Sequence, residues 1–367
     1  MGMVRIALAL AVVLSHMPMA TTKIIGGGLA VQCFFIVSGF YMAVILREKY
    51  RDLGLFYSNR LLRLYPTYAV MCALSALALF AFGVSGTATR ELMAAAYANP
   101  QTALALIASH VTMLGQEMLF WFTLDANGAL VFDATGATPN ETTTLAWQGL
   151  LVPQSWSLSM ELLFYAMAPF LARLGLRALI AVLIAGIAVR LSGYLLDVNY
   201  PLWAGRFFPA ALFLFVLGML AERALPLAAK LPRWIGYALA PIVLALLAAW
   251  PLLPVTGEPS RWLAYALIAA TAPFLFHAFA NAKLDRWIGE LSYPMYLSHI
   301  LVVAIVLAWA PAIPTWATIA LTFALAFAAA AALYVLIDRP VDRWRQARLA
   351  RAKQTVPPPA EALATRA

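Results

Sequence analysis

Arg5 and His16 fall inside one apolar run, MVRIALALAVVLSHMPMA. Their spacing makes about three helical turns, so both side chains share a face, roughly 16 Å apart along the axis. A neutral imidazole can take a proton from a hydroxyl as general base, or carry an acyl group as nucleophile. A guanidinium can hold an anion. Both groups are costly inside lipid, and intramembrane ionisable residues are functional candidates by default.

Further polar residues sit in apolar surroundings. GGGLAVQCFFIVSGF carries Gln32, Ser38 and Gly39. Ser38 and Gly39 read first as small residues that let helices approach closely. Arg60 and Arg63 stand at i and i+3 before Pro66. They serve either as a shared phosphate contact or as anchors of a basic cytoplasmic loop. WSLSMELLFY places Ser157, Ser159, Glu161 and Tyr165 at the head of a run, where Glu161 reads as a structural ion partner or as a solvated carboxylate. His299 lies in LSYPMYLSHI and reads as catalytic or as a hydrogen-bond partner of a neighbouring helix. His110 and His277 receive a structural reading only. Cys33 and Cys72 lie in apolar runs without CxxC spacing, so they read as packing residues, with no disulfide and no metal site.

The elements that must position these groups are membrane helices. The chain is 64% hydrophobic and 11% charged, with mean hydropathy +0.84. Soluble chains carry about 25% charged residues. Apolar stretches recur at 3–20, 28–46, 65–84, 102–122, 155–172, 177–195, 205–221, 234–253, 262–280, 288–310 and 315–337. The net charge of +9 does not signal nucleic acid, because Lys and Arg cluster in short loops beside these runs. Arg47, Lys49, Arg51, Arg60 and Arg63 place the stretch 47–63 inside. Arg173, Arg177, Arg223, Lys230, Arg233, Lys283 and Arg286 fall inside in turn.

Residues 85–154 hold Arg90 as their only cation, together with five acidic residues, so they read as external on both sides of 102–122. That run therefore does not span, and an all-α integral membrane bundle of about ten transmembrane helices is expected, with both termini cytoplasmic. Trp203, Trp234, Trp262, Trp287 and Trp316 read as interfacial belts. The N-terminal run also has the outline of a secretory signal, ending at Ala20. Retention as the first span fits the charge alternation better.

Six pieces of the chain together resemble the acyltransferase-3 family of membrane O-acyltransferases, which modify bacterial surface glycans and glycolipids. They are R-x10-H at Arg5 to His16, FFIVSGF at 34–40, NRLLRLYPTY at 59–68, WSLSMELLFY at 156–165, LSYPMYLSHI at 291–300 and DRPVDR at 338–343. The resemblance implies a membrane acyltransferase domain over 1–343, and the Pro- and Ala-rich composition of 354–367 adds the expectation of a disordered cytoplasmic tail over 344–367. It implies acyl transfer from cytoplasmic acyl-CoA, most often acetyl-CoA, to a glycan or glycolipid hydroxyl at the bacterial inner membrane, without a metal. His16 and Glu161 would be catalytic, and Arg5, Arg60 and Arg63 would hold the coenzyme. His299, Ser38 and Tyr165 stand as further candidates. Gln32, where many relatives carry an acid, and Asp338, where Glu is common, depart from the family pattern. A transporter of a small anion or acyl-modified precursor is the alternative, though the sequence carries no convincing internal repeat.

Overall fold

The computed structural model describes residues 1–20, 24–48, 52–135, 144–310 and 313–354. Fifteen α-helices form among the described residues. The first three are α1 (Gly2–Ser15), α2 (Gly27–Glu48) and α3 (Leu53–Phe82). α4 (Arg90–Ala98) and α5 (Pro100–Thr112) follow, then β1 (Phe122–Leu124), β2 (Leu130–Phe132) and β3 (Thr144–Leu145). Next are α6 (Trp156–Leu171), α7 (Leu176–Ser192), α8 (Tyr200–Arg206), α9 (Phe208–Glu222) and α10 (Leu225–Ala228). The chain continues with α11 (Trp234–Ala248), α12 (Gly257–Phe279), α13 (Lys283–Trp309), α14 (Thr315–Leu333) and α15 (Arg339–Gln354).

Among the described residues, six helical stretches are long and apolar enough to cross a bilayer. They are α2, α3, α9 with its continuation to Ala228, α12, α13, and α14 running on into α15. The expected count of ten is thus not reached on length and composition. The runs at 3–20, 155–172, 177–195 and 234–253 become helices of 14, 16, 17 and 15 residues. Hydropathy counts apolar residues, whereas helix length also depends on where the backbone breaks. α1 stops at His16 because Pro18 follows, and a residue before proline is steered out of the helical region. α11 stops just before the Trp250–Pro251 turn.

The run 102–122 is not one helix, in keeping with the expectation that it does not span. α5 ends at Met113, whose φ of 60° is left-handed, and Gly115 follows at φ 76°. The chain then enters a short three-stranded antiparallel sheet of order β2-β1-β3, which pairs Thr123 with both Val131 and Leu145. This small cap packs its own apolar cluster around Leu106, Leu119 and Leu150. His110 belongs to it. Its Nδ1 meets the Leu106 carbonyl at 2.7 Å and its Nε2 accepts from the Leu151 amide at 3.0 Å. Burial holds this imidazole below its ordinary pKa.

Close helix crossings rest on glycine. A Cβ on Gly39 of α2 would sit 1.9 Å from the Phe215 carbonyl of α9, and one on Gly218 of α9 would sit 1.9 Å from the Ile36 carbonyl. Gly39 thus plays the expected packing part, while Ser38 turns to another use described below. Trp234, Trp287 and Trp316 are exposed as a belt requires. Trp203 and Trp262 instead pack on Phe207 and Phe213. Arg190, in the middle of an apolar run, is fully buried and held by Glu258 at 3.1 Å and the Ala204 carbonyl at 2.6 Å.

The C-terminal boundary needs correction. Residues 344–354, expected as part of a disordered tail, continue α15. Between α14 and α15 the helix widens into a π-turn at Tyr334–Asp338. Pro340 lacks the N–H that would bond Leu336, so the ordinary ladder cannot run through this point. Arg345 bonds Asp342 one turn back, and Arg348 reaches Asn59 and Ser58 on α3, which ties α15 to the bundle. The remainder of the expected tail, 355–367, lies outside the described residues.

Candidate active site

α1, α2, α3, α6, α12, α13 and α15 line a cavity of about 710 Å3. Its size falls in the usual range for ligand sites, about 300–1,000 Å3. Arg5, Ser38, Arg60, Arg63, Glu161 and Tyr165 all line it. Six of the sequence candidates, from four helices, therefore converge on one space. Arg60 and Arg63 face it together, as their i, i+3 spacing requires.

The arginines are organised by a carboxylate that the sequence reading passed over. Glu290 lies 2.6 Å from the Arg63 guanidinium and 3.8 Å from that of Arg5. It stands one residue before the LSYPMYLSHI segment. Two arginines facing one compartment without a nearby acid were the available signal for such a partner. Arg63 also lies over the Tyr293 ring, 5.8 Å from its centroid. Arg286 and Arg345 add positive charge to the lining. The lining is charge-balanced rather than purely basic, since Asp285, Asp342 and Glu290 take up the Met1 amine, Arg345 and the Arg5–Arg63 pair.

Glu161 accepts from Ser38 Oγ at 2.8 Å and from the Tyr165 hydroxyl one turn along its own helix. A carboxylate with two hydroxyl donors is held in one orientation. Asp338 accepts from Thr67 at the foot of the π-turn. Gln32 accepts from Arg261 at 3.1 Å and from the Tyr265 hydroxyl, so in this chain it closes a polar network with Arg190 on α7.

His16 and His299 do not line the cavity. His16 caps the C-terminus of α1 and is exposed, whereas His299 is fully buried on α13. The two rings are neighbours nonetheless, with centroids 4.9 Å apart. The hydrogen-bond network assigns their tautomers. A carbonyl only accepts, so the His299 Nδ1 that lies 2.6 Å from the Tyr296 carbonyl carries a proton. Its Nε2 then holds a lone pair, which faces His16 Nδ1 at 3.3 Å. His16 Nδ1 also lies 2.9 Å from the Val12 carbonyl, so it carries the proton and leaves the lone pair of that ring on Nε2. This is the tautomer in which Nε2 acts as base or nucleophile while Nδ1–H is held from behind.

Tyr296 connects the two regions. It lines the cavity, and its ring centroid is 5.7 Å from that of His299 one turn on. Its hydroxyl is fastened to Ser157 Oγ at 2.7 Å and to the Gln154 carbonyl at 2.8 Å. The contact chain from basic cavity to exposed imidazole is thus Tyr296, His299, His16.

No curated protein and no solved structure matches this chain. A family model described as an acyltransferase domain matches residues 2–336, essentially the whole chain. With its apolar helices and a lined internal cavity, the chain belongs to the acyltransferase-3 family and is a membrane acyltransferase.

Proposed function

We propose that this chain transfers an acyl group, by preference acetyl, from cytoplasmic acyl-CoA to a hydroxyl of a glycan or glycolipid. The observation that carries the reading is the cavity itself. Its volume suits an extended ligand, and Arg5, Arg60, Arg63, Arg286 and Arg345 turn toward it. Coenzyme A presents phosphates that such guanidinium groups pair with in bidentate fashion. Glu290 preorganises Arg5 and Arg63, so fewer rotamers freeze when the phosphates arrive.

In this reading the basic end is cytoplasmic by the positive-inside rule. Ten passes follow if α1, α6, α7 and α11 cross alongside the six long stretches. A helix of 14 residues spans only about 21 Å, so α1 would need its flanking residues to complete the crossing. The membrane would be the bacterial inner membrane, where coenzyme A meets surface-glycan precursors.

The reaction balances without a metal. The acceptor hydroxyl attacks the thioester carbonyl, an ester C–O bond forms and the C–S bond breaks. His16 Nε2 takes the hydroxyl proton and returns it to the departing thiolate. His16 as a transient acyl carrier meets the same geometry, since both routes use Nε2. His299 and the Val12 carbonyl hold Nδ1–H and share the imidazolium charge as it develops. For the thioester to reach His16 from the cavity, Tyr296 must swing from its bonds with Ser157 and Gln154.

The position of His16 outside the cavity favours one second reading. There Glu161, inside the cavity with Ser38 and Tyr165, is the base, and the acceptor is acylated at the basic end. The two are separated by CoA release and acceptor labelling in reconstituted vesicles, with His16→Ala and Glu161→Gln measured side by side. Loss of transfer in His16→Ala, with acetyl-CoA binding retained, supports the first. Intact transfer in His16→Ala and its loss in Glu161→Gln supports the second. Absence of CoA release from the wild-type chain with every acyl donor would return the transporter alternative.

A further inference from the structure

Arg206, the last residue of α8, is the charged group that the proposed reaction leaves unused. Its guanidinium lies 3.9 Å from the centroid of Phe120 and 4.9 Å from that of Trp156. Phe120 is itself stacked on Trp147 at 4.9 Å with the rings nearly parallel. The Nε atom is buried with no hydrogen-bond partner. Among the described residues no carboxylate forms an ion pair with this arginine and no carbonyl accepts from it.

This departs from how the chain treats two other embedded cations. Arg190 has Glu258, and Arg63 has Glu290. A guanidinium stays protonated in proteins, and an aromatic face offsets only part of the cost of desolvating it. A site that holds a charge ready without an acid is set to receive one.

The surroundings indicate from where. Phe120 and Trp147 belong to the cap between α5 and α6, and Trp156 opens α6 beside Ser157. Trp156 meets Phe35 edge-on at 6.4 Å, and Phe35 lines the cavity. Arg206 thus lies on the cap side of the wall formed by Tyr296 and Ser157, opposite the end where Arg5 and Arg63 gather.

We propose that Arg206, caged by Phe120 and Trp156, binds an anionic group of the acceptor, a sugar carboxylate or a phosphate, and thereby selects acidic glycans or phosphate-bearing glycolipids. This rests on the acyl-transfer reading above. The guanidinium supplies the paired donors that a carboxylate or phosphate accepts.

The test titrates the full chain in nanodiscs with three probes, glucuronate, methyl glucoside and inorganic phosphate, while following tryptophan fluorescence. Glucuronate or phosphate should produce a saturable change that Trp156→Phe diminishes and Arg206→Gln weakens at least tenfold. Arg206→Lys, which keeps the charge, should recover part of the affinity. Methyl glucoside should produce no saturable change. Whichever anion binds names the source, carboxylate or phosphate. Equal binding in wild type and Arg206→Gln, equal response to methyl glucoside, or no response to either anion overturns the proposal. Release of CoA from acetyl-CoA is measured on the same samples. Its loss in every sample with anion binding intact would overturn the acyl-transfer reading instead, and its retention with anion binding absent would overturn this inference alone.

Discussion

At the basic end of the bundle, Arg63 lies 2.6 Å from Glu290, Arg345 lies 3.2 Å from Asp342, and Arg47 lies 2.8 Å from Glu222. At the cap end, Arg206 rests on two aromatic rings and His16 is held by a carbonyl and a second imidazole. The first region fixes these three cations with acids, so that part of its geometry exists before a ligand arrives. The second holds its ionisable groups with neutral neighbours, so a proton or an anion can come and go without displacing a carboxylate. Binding of a polyanion suits the former arrangement, and proton transfer suits the latter. Tyr296 touches both.

The largest expected effect breaks the cap end. His16→Ala should lower the rate of acyl transfer about 10²–10⁴-fold, the usual contribution of a positioned base. Binding of acetyl-CoA to this variant, followed by equilibrium dialysis, should stay within threefold of wild type.

Arg60→Ala addresses the basic end. A charged hydrogen bond contributes about 1.5–3 kcal/mol, so KM for acetyl-CoA should rise about 10–100-fold. Steady-state kinetics should show kcat changed by less than threefold. A fall in kcat at constant KM would move Arg60 from coenzyme binding to the chemistry.

His299→Ala sharpens the contrast between the imidazoles. His16 Nδ1–H would then lose one of the groups that hold it, and kcat should fall about tenfold, as for other residues that orient a functional imidazole. Its KM for acetyl-CoA should not move, because His299 does not line the cavity.

Two smaller effects concern the frame. Gly218→Ala forces a Cβ against the Ile36 carbonyl and should cost about 1–3 kcal/mol, read as a lower Tm in detergent. His110 is held below its ordinary pKa by burial, so the unfolded chain binds a proton there more readily than the folded one. Its contribution to stability is full above the ordinary histidine value, about 6.5, and is lost as pH falls through the lower folded value. His110→Gln should flatten the acid side of the Tm–pH curve, and an unchanged slope would remove this source of acid sensitivity.

Much of this arrangement was legible in the amino-acid order. Arg60 and Arg63 share a face because they are three residues apart, and the reading of 102–122 as non-spanning, drawn from the single cation of 85–154, agrees with its break into a helix and a small sheet. The family was legible because six pieces fell in order along one chain. Other parts depend on contacts across great separations. His16 meets His299 over 283 residues, and no local pattern carries that pairing. Glu290 took on meaning only once α13 was seen to face α1 and α3. Arg206 stood at the edge of an apolar run like any interfacial arginine, and only the packing of Phe120 and Trp156 against it reveals the missing acid. Ten spanning runs were legible, but among the described residues only six became helices long enough by themselves, because prolines and turns shorten helices that hydropathy reads as continuous.

The central claim is that His16, not Glu161, takes the acceptor's proton after the acyl group has passed Tyr296. The direct measurement uses vesicles of known orientation, with labelled acetyl-CoA at the basic end and a glycolipid acceptor at the cap end. The wild-type chain should label the acceptor, and His16→Ala should fail to do so while still binding acetyl-CoA. Labelling by His16→Ala at the wild-type rate, or labelling only when acceptor and acetyl-CoA share the basic end, would contradict the account.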